Sequence, residues 1–209
     1  MDLTIDPTKK TGIFGGTFDP IHLGHINIVK NIYKQNLIEQ VIAVPAGRPP
    51  HKLNHRITSS RHRIRMMSLA FERIPYIHIS NYETTRKCPS YTIQTARYFE
   101  GILGHNLFLI IGIDSLCELE TWYQAEELVN EFKFIIYKRP GYSLPTKTKL
   151  SSIFGPVNAK KLHGSIVEGI TKNMSSRGIR NLICDGKDVS RYLPKNVISY
   201  VNSKQLYTC

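Results

Sequence analysis

The stretch Gly15-Gly16-Thr17-Phe18-Asp19-Pro20-Ile21-His22-Leu23-Gly24-His25 decides the fold. Before it stands a short apolar run, Gly12-Ile13-Phe14, which reads as a buried strand. After it Ile26, Ile28, Val29, Ile32 and Tyr33 recur at helical spacing. The motif therefore lies on the turn from a first strand into a first helix. In a parallel α/β sheet such a turn sits outside the carboxyl end of the strand, where ligands bind.

The residue types in the turn suit a phosphate. Gly15 and Gly16 can take backbone angles that other residues avoid, and they let a ligand approach the main chain. Free N–H groups at a helix start favour an anion. His22 and His25 are three apart and share a face of the first helical turn. Two imidazoles there can donate to phosphate oxygens. Gly24 removes a side chain where something has to pack closely. A glycine-rich turn with two incidental histidines is the plain alternative, and the length of the run in its strand-to-helix context argues against it.

On these residues the chain resembles the nucleotidyltransferase superfamily marked by His-x-Gly-His. The longer form, Gly-Gly-Thr-Phe-Asp-Pro-x-His-x-Gly-His, is similar to that of the bacterial nicotinate-nucleotide adenylyltransferases. The resemblance implies a Rossmann-like α/β fold, a central parallel sheet flanked by helices.

Length and composition fit that expectation. The chain has 209 residues, 41% of them hydrophobic, enough for one domain with a sizeable core. We expect a single domain over 1–209, its part from about 170 to 209 forming a small helical segment that completes an ATP site. No apolar run approaches the roughly 20 residues of a membrane span. Met1 to Lys10 is polar and lacks a signal-peptide core, so a cytoplasmic location is expected. Cys88, Cys117, Cys184 and Cys209 are scattered, with no Cys-x-x-Cys pair. That pattern argues against zinc or a disulfide framework and for reduced, structural thiols.

The formal net charge of +12 implies polyanionic partners, a nucleic acid or a nucleoside triphosphate. No recognised nucleic-acid module is present, so no nucleic acid is expected. The oligomeric state is not legible, and a homo-oligomer stays open. Arg61, Arg63 and Arg65 cluster on a helix expected from Ser59 or Ser60 to about Glu72, where they are read as lying on solvated faces.

Further along, Gln40–Val44, Tyr76–Ser80, Leu107–Ile111, Phe134–Tyr137 and Gly164–Gly169 read as strands. Ser90 is a plausible cap for a helix to about Leu103. A short helix covers Glu126 to Asn130, and a last one follows Tyr192-Leu193-Pro194. Residues 142–161 carry much Gly, Pro, Ser and Lys and read as a long connection with weak structure.

The remaining site residues follow from the resemblance, each beside its plain structural reading. Pro49-Pro50-His51-Lys52 lies past the second strand, and Lys52 becomes a phosphate contact rather than a solvated loop residue. Ser90-Tyr91-Thr92 matches the segment that receives the pyridine carboxylate, which gives Thr92 to the substrate. Gly112 and Asp114 end the fourth strand, with Asp114 either accepting from ribose hydroxyls or capping the next helix. Trp122 stacks on the nicotinate ring, against the alternative of a core tryptophan. Gly15, Gly16, Thr17 and Phe18 line the ATP site, joined by Ser176 and Arg180 from the C-terminal part. The family pattern Ile-Ser-Ser-Thr-x-Ile-Arg carries Arg177 here where threonine is usual.

The implied reaction joins ATP to nicotinate mononucleotide with His22 and His25 as catalytic residues. Magnesium accompanies ATP, and no protein-held metal is expected. A sister enzyme acting on nicotinamide mononucleotide or phosphopantetheine is the alternative, and a basic nucleic-acid-binding protein a distant one.

Overall fold

The computed structural model describes residues 5–50, 57–104, 106–138, 141–168 and 174–209. Six strands form one sheet: β1 (Thr11–Gly16), β2 (Gln40–Pro45), β3 (Ile77–Ile79), β4 (Leu107–Gly112), β5 (Lys133–Tyr137) and β6 (Ile166–Val167). Their order is β3-β2-β1-β4-β5-β6, and every neighbouring pair is parallel. This is the 3-2-1-4-5-6 order of the Rossmann fold, whose direction reverses between β1 and β4. The expected fold class is borne out.

Continuous apolar strands are what a sheet covered on both faces requires, because side chains alternate between the faces. Ile13, Ile42, Val44, Leu109, Ile111, Phe134 and Ile136 join one buried cluster. Phe14, Val41, Ala43, Ile110 and Ile135, their neighbours in sequence, join the other. The first cluster is closed by α3 (Thr92–Leu103), α5 (Ala125–Glu131) and α6 (Lys147–Gly164), through Phe99, Leu128 and Leu162 among others. The second is closed by α1 (Leu23–Lys34), α2 (Ser60–Phe71), α7 (Ser176–Cys184) and α8 (Lys195–Ser203). A short α4 (Ile113–Cys117) follows β4 directly.

Three expectations need correction. The stretch 142–161 is largely helical: α6 runs through most of it, broken at Gly155 (φ 79°) before Pro156. The Gly-Pro pair masked the helix in the sequence because it divides the buried residues Leu150 and Phe154 from Ala159 and Leu162. Arg63 does not lie on a solvated face; it is 2% exposed. It shares the inner stripe of α2 with Met66 and Met67, three and four residues on, and satisfies its guanidinium on main-chain carbonyls. Finally, Cys184 and Cys209 form a disulfide, their Cα atoms 5.2 Å apart, while Cys88 and Cys117 are free thiols. The chain end returns to the end of α7, a tertiary neighbourhood that cysteine spacing does not encode.

Candidate active site

At the switch point the carboxyl ends of β1 and β4 open onto a cavity of about 540 Å³. Gly15, Gly16 and Thr17 line it, with Thr92, Gly112 and Trp122. Six of the expected site residues thus meet in one space.

The two glycines that end β1 act through the room they leave, not through glycine backbone angles as the sequence suggested. Neither Gly15 nor Gly16 is left-handed; the positive φ of 50° belongs to Phe18. A side chain at Gly15 would meet nothing within 4 Å, so its absence leaves the main chain open. A Cβ on Gly16 would come 3.0 Å from the Phe18 ring. That ring is 1% exposed and packs edge-on against Phe14 and His25. Phe18 therefore offers a ligand its backbone and not its side chain.

His22 is the N-cap of α1, and the two histidines form a reciprocal capping box. The His25 N–H donates to His22 Nδ1 at 3.3 Å, and the His22 N–H donates to His25 Nδ1 at 3.2 Å. The rings stack with centroids 3.7 Å apart. With each Nδ1 accepting, each neutral ring carries its proton on Nε2 and is a donor there. Gly24 is explained by the same pair: a Cβ at that position would lie 2.9 Å from the His22 ring.

Beneath the turn lies a polar cluster that sequence reasoning missed. Asp19 is 3% exposed. Its carboxylate accepts from the Thr58 N–H at 3.2 Å and from the Tyr207 hydroxyl at 2.7 Å. Arg63 donates to the carbonyls of Thr58 and Thr17 at 2.9 and 2.8 Å. Burial lowers the pKa of Arg63 from its ordinary value, and the Asp19 charge works against that shift. The one available signal was Arg63 itself, a charge at i, i+3, i+4 spacing with two methionines.

Ser176 and Arg180 reach the same turn. The Ser176 hydroxyl donates to the Pro20 carbonyl at 3.0 Å, and Arg180 Nη1 donates to the Asp19 carbonyl at 2.6 Å. Ser175 caps α7, accepting from the Gly178 N–H. Arg177, the departure from the family pattern, is exposed. Asp114 stands in the first turn of α4, close to Gly112, where a Cβ would also meet the Tyr137 ring at 3.2 Å.

Part of the cavity wall is aromatic. Trp122 is half-buried, and Tyr91 and Tyr123 stack beside it with centroids 4.4 Å apart. Thr92 is the first residue of α3, whose N-cap Tyr91 makes no side-chain cap bond and whose first turn holds no acid. Ser90 does not cap this helix as expected. Its hydroxyl instead accepts from the N–H groups of Gly47 and Arg48 at 3.0 and 3.1 Å, tying the β2 loop to the cavity rim. Glu83 accepts from the Thr95 hydroxyl at 2.7 Å, and burial raises its pKa. Lys52 lies outside the described residues.

A phosphate-type turn at the switch point of a Rossmann-like sheet, with aromatic side chains lining the same cavity, fits proteins that join two nucleotides: the class is a nucleotidyltransferase. The family described as cytidylyltransferase-like matches residues 13–182. A probable nicotinate-nucleotide adenylyltransferase of Thermoanaerobacter sp. (strain X514) is 34% identical over 95% of this chain and 94% of its own. One of Clostridium botulinum (strain Okra / Type B1) is 36% identical over 93% of this chain and 97% of its own. The structure of Plasmodium falciparum nicotinic acid mononucleotide adenylyltransferase complexed with NaAD shares the fold. Its TM-score is 0.76 at 21% identity, over 94% of this chain and 96% of that one. The chain belongs to the cytidylyltransferase-like family and, within it, to the nicotinate-nucleotide adenylyltransferases.

Proposed function

We propose that the chain transfers the adenylyl group of ATP to nicotinate mononucleotide, giving nicotinate adenine dinucleotide and pyrophosphate in NAD synthesis. The observation that carries this reading is the cavity in which Gly15, Gly16 and Thr17 meet Thr92 and Trp122. The first three suit the reacting phosphates. The start of α3 at Thr92 suits the pyridine carboxylate, because N–H groups at a helix start favour an anion over a neutral amide. Trp122 supplies a flat apolar face for the ring.

A phosphate oxygen of the mononucleotide attacks the α-phosphorus of ATP. The bond from that phosphorus to the bridging oxygen breaks, and pyrophosphate leaves. The nucleophile is already an anion at neutral pH and needs no general base. The protein's task is positioning and stabilisation of charge. His22 and His25 are the catalytic residues, donating from Nε2 to phosphate oxygens as charge develops. Ser176 contributes its N–H at the first turn of α7 to the β- and γ-phosphates. With five N–H donors, the Arg180 guanidinium can keep its bond to Asp19 and still reach them. Asp114 accepts from the ribose.

Magnesium would enter with the triphosphate, held mostly by phosphate oxygens and water. Among the described residues no group of three or more His, Cys, Asp or Glu is placed to hold a metal ion, and no step is routed through one. The unit acts as one domain, in which α7, α8 and the chain end complete the ATP side. No helix among the described residues is long and apolar enough to cross a membrane, and the proposed location is the cytoplasm.

The test is pyrophosphate release with ATP and magnesium, offering nicotinate mononucleotide, nicotinamide mononucleotide and phosphopantetheine in parallel. Release with the nicotinate form, lost in His22→Ala, is expected. Release with phosphopantetheine alone overturns the substrate, and no release with any of the three overturns the reaction.

A further inference from the structure

The chain end makes a contact that adenylyl transfer as described does not use. After α8 the backbone turns left-handed at Gln205 (φ 49°) and again at Tyr207 (φ 67°). Residues with a side chain hold that conformation only where their surroundings impose it. Here the surroundings are specific. The Leu206 N–H donates to the Val201 carbonyl at 3.0 Å, and Cys209 is bonded to Cys184 at the end of α7. Between those two anchors the Tyr207 hydroxyl donates to Asp19 Oδ1 at 2.7 Å. Tyr207 is 188 residues from Asp19 in sequence, so the bond closes the end of the chain onto its first functional turn.

Asp19 is three residues before His22. Its main-chain carbonyl is held by Arg180, its carboxylate by Thr58 and Tyr207, and the next carbonyl, of Pro20, by Ser176. These bonds fix the segment that delivers His22 to the N-cap of α1, where its Nδ1 is engaged by His25. Burial and the Asp19 charge push the Tyr207 pKa far up, so the hydroxyl keeps its proton and stays a donor across the working range.

We propose that Tyr207 is a positioning residue for adenylyl transfer: by holding the Asp19 carboxylate it fixes the turn that aims the His22–His25 pair at the reacting phosphate. This rests on the reading of the function given above, and it adds a residue outside every motif of the sequence. Because the histidines are placed by a chain of short bonds, a shift of about 1 Å at the turn is enough to slow the chemical step.

The test is Tyr207→Phe, which removes the hydroxyl and keeps the ring. Two readouts are taken. In the ligand-free protein, the imidazole resonances of His22 and His25 should shift or broaden in the variant; this readout does not depend on what the enzyme's substrates are. In the assay, kcat should fall about tenfold while KM for ATP stays within about twofold. A tyrosine that only stabilises the fold would lower Tm and leave both the resonances and kcat, at temperatures well below Tm, unchanged; that result overturns the proposal. A cycle with Asp19→Ala, which removes the acceptor, separates the pair from its surroundings. If the two residues act through one bond, the double variant should lose about as much kcat as the worse single variant. Losses that multiply, to about a hundredfold, overturn the proposal. Wild-type protein with no activity on the mononucleotide would overturn the proposed function, and the imidazole resonances would still decide whether Tyr207 positions the histidines.

Discussion

The Arg63 guanidinium donates at 2.8 Å to the main-chain carbonyl of Thr17, from a side chain 2% exposed. A charge from α2 thus supports the floor of the turn whose upper side faces the cavity. Replacing it with methionine keeps volume and removes the donor to the carbonyls of Thr17 and Thr58. Leaving a buried acceptor unsatisfied costs about 1–3 kcal/mol. Arg63→Met should therefore lower Tm by several degrees and reduce kcat with it, read by thermal denaturation and initial rates. An unchanged Tm would mean that water replaces the guanidinium.

The capping box of His22 and His25 predicts a severe effect from a small change at Gly24. A Cβ there lies 2.9 Å from the ring of His22, which is buried. Gly24→Ala should lower kcat by about a hundredfold, the order expected when a preorganised donor is displaced. The helix itself should persist, since alanine is the better helix former. Circular dichroism beside steady-state rates distinguishes these.

Trp122 lines the cavity together with Tyr91 and Thr92. Trp122→Ala should raise KM for the mononucleotide about tenfold, matching loss of roughly 1.4 kcal/mol of ring contact, and leave KM for ATP unchanged. Equal rises in both constants would show that the indole supports the fold and not one substrate.

Glu83 predicts a pH dependence of stability. Burial raises its pKa, against the opposing bond from Thr95. A carboxyl with a higher pKa folded than unfolded binds its proton more tightly in the native state. Its contribution is full below the unfolded pKa and is lost as pH rises through the folded one. Glu83→Gln removes that titration. The stability of the wild type relative to Glu83→Gln should fall as pH rises through and above the ordinary glutamate pKa of about 4.3. Urea denaturation of both proteins below and above that pKa measures it, and a flat difference overturns the assignment.

Thr92 and Trp122 entered the site only through the family resemblance, but the sequence alone established the α/β class and the strand-to-helix placement of the histidine motif. It could do so because burial on both faces forces continuous apolar strands, which are legible one segment at a time. Ser176 and Arg180 were found by their pattern, but the carbonyls of Pro20 and Asp19 that hold them were not. Which polar groups meet was set by packing. Arg63 read as a surface charge because its partners are main-chain carbonyls, which no residue type announces. Residues 142–161 read as a loop because Gly155 and Pro156 break one helix into two. The Asp19–Tyr207 bond and the Cys184–Cys209 disulfide join segments far apart in the chain. Hydrogen bonds are short and directional, so which of many distant donors reaches a given acceptor is fixed only when packing has set the distance.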